Sequence, residues 1–270
     1  MSIYNWIQKT FFDTYEEWHM KSPIYDRNGF NIVGVDNSLK AMHDGHITYT
    51  EITPSSAVNG CKSMKATAGK SKEIVDLYLI INDKKYIISD LSYSDAVKVM
   101  RTFVKKEVLP DENTYTLVTG DEDKKIKSSF EELSKLLLTE SKDTQSFLKK
   151  VKHESMEDME NAWEELCEEL LKNKKAIELD WKEEKDIFLY SVKELSAGTN
   201  FVIDEQLLDE NQNIPIWSSK LNSLWTDYVL AVMELHCDTY VLLLLTKEDF
   251  IKAQELARTV LQIIAPAEEV

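Results

Sequence analysis

The chain has 270 residues, of which 43% are hydrophobic and 30% charged; that is a globular composition with room for two cores, not a disordered one. No apolar run reaches the roughly eighteen residues that a membrane-spanning helix needs. The formal net charge of −16 argues against nucleic acid as a ligand, because phosphate contacts require a basic face.

Within residues 3–19, Ile3, Ile7, Phe11, Tyr15 and Trp18 recur at three- and four-residue spacing, which predicts an amphipathic helix. Pro23 and Asn28-Gly29 mark a turn. Strands are predicted over 30–36, 46–53, 61–67, 74–81 and 85–91, which are rich in β-branched and aromatic residues. Asn82-Asp83 is short enough to make the last two a hairpin. Ser94 precedes a helix with Val97, Met100, Phe103 and Val104 on one face. Residues 1–110 therefore read as a first domain of helix, antiparallel sheet and closing helix, and the polar run 111–129 as a linker.

Residues 130–270 read as a second, helix-rich domain. Two short helices over 130–138 and 144–151 precede a longer one that starts at Ser155, with Asp158 in the position of a capping box. Its apolar stripe is Met159, Trp163, Leu166 and Leu170. A strand over 176–182, helices over 184–195 and 215–228, and strands over 228–236 and 239–246 follow, the two strands joined through Cys237-Asp238. Residues 247–264 close the chain as a helix. The fold class is α+β: two domains, each a small, mainly antiparallel sheet with helices packed on one side.

Charge is divided unevenly. Residues 1–120 carry 14 basic and 15 acidic side chains, and residues 121–270 carry 18 and 33. The acidic second half suits a basic protein partner, steered in by its field. Candidate contact residues are Glu164, Glu165 and Glu168 on the polar face of the helix after Ser155, with Asp180, Glu183, Glu184 and Asp186 of "ELDWKEEKD". A tryptophan exposed beside these carboxylates would be a natural anchor.

Other motifs carry less. Gly69-Lys70-Ser71 lacks the first glycine of a phosphate-binding loop, and a strand-like run follows it where a helix is required; it reads as a hairpin loop. His43 and His46 lack the further ligands of a zinc site, even with His19 and Cys61 counted. His236, Cys237 and Asp238 are adjacent, but neighbouring strand side chains point to opposite faces, which does not pair a base with a thiol. Neither a cofactor nor a metal is expected. Three widely spaced cysteines and an acidic, unsignal-like N-terminus fit a cytoplasmic protein with reduced thiols.

Three pieces, "AWEELCEEL" (162–170), "AIELDWKEEKD" (176–186) and "CDTYVLLLL" (237–245), resemble an uncharacterised bacterial domain family over roughly residues 155–265. In size and acidity that family is similar to the small cytoplasmic proteins that accompany bacterial toxin systems. The resemblance implies a non-enzymatic immunity or antitoxin role, with a toxin or effector as the basic partner. Two other classes stay open: an enzyme with a site in the cleft between the halves, and a two-domain scaffold or regulatory module.

Overall fold

The computed structural model describes residues 8–9, 12–69, 73–118, 120–139, 141–197, 199 and 203–269. They fall into two units, Met1–Gly120 and Asp121–Val270.

The first unit holds a seven-stranded antiparallel sheet of order β2-β1-β3-β4-β5-β6-β7. Its strands are β1 (Thr14–Ser22), β2 (Tyr25–Asn31), β3 (Tyr49–Thr53), β4 (Cys61–Ala68), β5 (Ile74–Ile81), β6 (Lys84–Ser92) and β7 (Thr116–Leu117). Helix α1 (Ile32–Asp44) links β2 to β3, and α2 (Tyr93–Lys106) follows β6. Along β5 every second residue is buried: Val75, Leu77, Leu79 and Ile81. They share a core with Met64 and Ala66 of β4, Val35, Leu39 and Met42 of α1, and Met100, Phe103 and Val104 of α2. One face of each strand and one stripe of each helix thus meet, as their periodicities demand.

Three sequence expectations in this unit are corrected. Tyr15 and Trp18 lie on β1, not on a helix. From Tyr15 to His19 is four residues, yet their β2 partners Phe30 and Asn28 are only two apart, so β1 bulges. The bulge turns Tyr15 and Trp18 to the same buried side, three residues apart, which mimics helical spacing. Gly29 lies opposite the bulge with φ +78°, a left-handed conformation that favours glycine. Ile3, Ile7 and Phe11 lie outside the described residues. Second, the strand expected over 30–36 ends at Asn31, whose side chain caps α1 by accepting the Val33 N–H at 2.9 Å. Ile32, Val35, Leu39 and Met42 then follow a helical stripe that overrides their β propensity. Third, part of the expected linker is structured: Thr116 and Leu117 pair with β6, and Asp121 begins a helix.

The second unit is built on a four-stranded antiparallel sheet of order β11-β9-β10-β8. Its elements in chain order are α3 (Asp121–Leu138), α4 (Lys142–Lys150), α5 (Met159–Lys172), β8 (Ala176–Asp180), α6 (Lys185–Leu195), α7 (Ile214–Leu224), β9 (Tyr228–Met233), β10 (Thr239–Thr246), α8 (Lys247–Thr259) and β11 (Ile264–Pro266). The α+β class holds, but helices cover both faces of this sheet rather than one. Phe130 of α3, Phe147 of α4, Trp163 of α5 and Ala257 of α8 pack with Ala231, Met233, Val241 and Leu243 on one face. Phe188 of α6 and Trp217 of α7 pack with Leu230, Val232 and Leu242 on the other. The unbroken apolar runs of β9 and β10 are the reason, since a strand buried on both faces has no polar side to alternate. The closing helix ends at Thr259; Leu261 turns left-handed at φ +56°, and β11, unforeseen in the sequence, pairs with β9. No helix among the described residues is long and apolar enough to cross a membrane.

Candidate functional site

The acidic residues singled out in the sequence fall into two groups on this unit. Glu164, Glu165 and Glu168 are exposed along the outer face of α5, opposite its buried stripe. Asp180, Glu184 and Asp186 are exposed, and Glu183 half-buried, at the corner between β8 and α6. The two helices cover opposite faces of the sheet, with the edge strand β8 between them. Alternation puts Glu178 and Asp180 on the α5 side with Ala176, and Leu179 on the α6 side. The seven carboxylates therefore stand on two sides of the sheet and do not form a single flat face.

Local hydrogen bonds fix the corner. Asp180 Oδ1 accepts the Lys182 N–H at 2.8 Å, and its carbonyl accepts the Glu183 N–H at 3.0 Å. Glu183 Oε1 accepts the Glu184 N–H at 3.2 Å. Glu184 is the N-cap of α6 and Asp186 stands in its first turn, where the helix dipole favours negative charge.

Trp181 sits at the centre of this corner. Its backbone N–H donates to Asp238 O at 3.2 Å, and its indole is 50% exposed. Trp18, Trp163, Trp217 and Trp225 are all buried, and Trp6 lies outside the described residues. Lys182 places its Nζ 4.3 Å from the centroid of the Trp181 ring. On α6, Ile187 and Tyr190 are 47% and 61% exposed, and the Tyr190 hydroxyl donates to Glu194 Oε1 at 3.1 Å. Large apolar surface and carboxylates thus lie together on one short segment.

The remaining motifs do not assemble into chemistry. His43 stacks on Tyr93 at 4.6 Å between centroids, with Glu73 Oε1 3.9 Å from its Nε2, while His46 is exposed. No group of three His, Cys, Asp or Glu side chains among the described residues is set to hold a metal. His236 takes a left-handed turn at φ +56°, and its partner is Glu234, with Nδ1 to Oε1 at 3.7 Å. Burial holds its imidazole below the ordinary histidine range, against the pull of Glu234 and Glu160. The Cys237 thiol lies 3.1 Å from Thr239 Oγ1 instead. Burial pushes the Cys61 and Cys167 thiols up to about 11, far from reactive thiolates. Gly69 closes the β4–β5 hairpin by donating to Ile74 O at 2.9 Å; Lys70 and Ser71 lie outside the described residues.

The three resembling segments come together in space: "AIELDWKEEKD" opens with β8, "CDTYVLLLL" contains most of β10, which pairs with β8, and "AWEELCEEL" lies on α5 in the core beside β8 and β10. A family model described as "Domain of unknown function (DUF6630)" matches residues 116–267, more than half of the chain. The chain belongs to this family. The DUF6630 match spans both acidic groups and Trp181, and leaves β1–β6 outside it. No curated protein and no solved structure matches the chain.

Proposed function

We propose that the DUF6630 unit is a docking module for a basic protein, in the manner of an immunity protein that occludes a toxin or effector. The observation that carries this reading is Trp181, half-exposed among Asp180, Glu183, Glu184 and Asp186. An indole that already carries Lys182 over its face accepts a partner's arginine or lysine in the same way. The carboxylates steer such a partner in, while Trp181, Ile187 and Tyr190 supply desolvated contact area. Glu164, Glu165 and Glu168 extend the attraction to the other side of the sheet.

The test is affinity capture from the native host at low and high salt, with the wild-type chain and Trp181→Ala in parallel. One stoichiometric basic protein, held at low salt and released at high salt, is the expected result. Trp181→Ala should weaken that complex about tenfold or more, the loss typical of a central aromatic anchor. Capture that is indifferent both to salt and to Trp181 removes the reading.

A further inference from the structure

The first unit holds a cavity of about 400 Å³ that none of the sequence motifs pointed to. It opens where the sheet splits. β1 pairs with β3 only from His19 to Lys21, so Thr14–Trp18 faces the loop over 54–60 instead of a strand. That loop is held in shape by the mutual Val58–Cys61 backbone bonds at 2.9 Å and by Asn82 N–H donating to Gly60 O at 3.0 Å. The β1 bulge turns the buried rings of Tyr15 and Trp18 to the same side, and both residues line the cavity. A volume of this size suits a small molecule.

The lining favours a cation. Three of its lining residues are acidic, Glu16, Glu17 and Glu107, and one is basic, Lys9. The chain's own Lys9 shows how a cation sits there: its Nζ is 2.5 Å from Glu107 Oε1 and 5.7 Å from the centroid of the Tyr15 ring. Tyr15 is only 4% exposed, yet its hydroxyl makes no hydrogen bond among the described residues. The oxygen is not among the buried polar atoms left without a partner, so it keeps open surface from which it can accept a ligand's N–H. Burial, with Asp13 and Glu107, pushes its ionisation up to about 12, so near neutral pH it stays a neutral hydroxyl that can accept an N–H. Ser55, Ser56 and Asn59 add further oxygen acceptors on the loop side.

We propose that this cavity binds a small organic cation, an alkylguanidinium or alkylammonium, between the carboxylates and the Tyr15–Trp18 floor. Several N–H donors on one positive head match several oxygen acceptors, and the alkyl tail lies on the rings. The Tyr15 hydroxyl is one of the acceptors.

Calorimetric titration of the full chain with agmatine tests it, together with amide shifts mapped by NMR. The expected result is saturable one-to-one binding, with shifts at residues 14–18 and 55–59. Tyr15→Phe removes only a hydroxyl without a protein partner, so the fold stands, and affinity should fall about tenfold. Glu16→Gln is the second variant and should weaken binding without shifting its place. Three results overturn the proposal: no saturation by about 10 mM agmatine, equal binding of neutral butylurea, or unchanged affinity in Tyr15→Phe. The peptide acetyl-Gly-Arg-Gly-amide separates the sources of the cation. Weaker binding than agmatine supports a free small molecule, and tighter binding overturns it in favour of a protein side chain.

Discussion

β5 and β10 are both eight-residue strands paired on both sides, and they bury their residues in different ways. β5 buries every second side chain, Val75, Leu77, Leu79 and Ile81, with Tyr78 and Ile80 only partly covered between them. β10 buries Val241, Leu242 and Leu243 in succession. The first pattern belongs to a sheet whose α1 and α2 share a single core, the second to a sheet sandwiched between two helical layers. Burial in succession leaves no polar side on the strand, so the acidity of the second unit is displaced to its helices and corners. That is where Trp181 and the candidate carboxylates stand.

The largest effect expected from this difference is in the helical layer that β5 lacks. Trp217 of α7 is 1% exposed, tilts against Phe188 at 5.3 Å, and donates Nε1–H to Asp209 O at 2.8 Å. Trp217→Ala should cost about 3–5 kcal/mol. Hydrogen exchange resolves each unit separately, and protection should fall in β9 and β10 while β4 and β5 keep theirs. The strands themselves give the next effect. Leu242→Ala and Leu243→Ala should each cost about 2–5 kcal/mol, because each faces a separate core. In β5 the neighbours should differ: Leu79→Ala in the same range, and Ile80→Ala about 1 kcal/mol or less. Equal losses at Leu79 and Ile80 would show that β5 also has two buried faces.

The same contrast explains what was legible in the sequence. Strands β3–β6 announce themselves through β-branched runs and short turns, and α5 through Met159, Trp163, Leu166 and Leu170. β1 was hidden because its bulge gives Tyr15 and Trp18 a helical interval. The cavity was hidden with it, since residues read as one helix cannot line a split in a sheet. "VLLLL" marked a strand, but the expectation of helices on one side left the second buried face of that strand unforeseen. In the acidic site, "ELDWKEEKD" was visible as charge and tryptophan together. That α5 and α6 lie on opposite faces of β8 depends on tertiary packing, which no local pattern encodes. β11 is three residues long and follows a left-handed Leu261, so neither period nor propensity marked it.

A smaller, pH-dependent effect is expected where α5 begins. Asp158 accepts the backbone N–H groups of Glu154 and Ser155 at 3.1 and 3.2 Å, with Lys152 Nζ 2.7 Å away. Lys152 first, and these N–H groups with it, hold the carboxyl below the ordinary aspartate value, against desolvation. A depressed folded-state value means stability that is present above the unfolded pKa and lost as pH falls through the folded one. Asp158→Ala should therefore cost about 1–2 kcal/mol at neutral pH, the range of a lost helix cap. Denaturant midpoints of variant and wild type should converge in acid, below the usual aspartate range. A gap that persists there would mean the loss comes from packing and not from the charge.

The smallest effect sharpens the comparison most directly. Acidic side chains exceed basic ones by one in residues 1–120, against fifteen in residues 121–270. Like charges crowded on one folded unit repel more than in the expanded chain, and salt screens that repulsion over roughly 10 Å at 0.1 M. Raising sodium chloride from low to moderate concentration should stabilise the second unit by up to about 1 kcal/mol, while breaking surface ion pairs costs only a few tenths each. The first unit is nearly balanced and has pairs such as Lys105–Asp13 at 3.0 Å and Arg101–Asp36 at 3.1 Å. It should gain nothing or lose slightly. The measurement is hydrogen exchange of β5 and β10 amides across a salt series. Opposite slopes for the two strands would show that the acidity of the second unit is held at a cost to its own stability. Charge kept at such a cost calls for a use, and attraction of a basic partner supplies one. Parallel slopes would instead leave the carboxylates as an ordinary solvated surface, and binding at the β8–α6 corner would then rest on Trp181, Ile187 and Tyr190 alone.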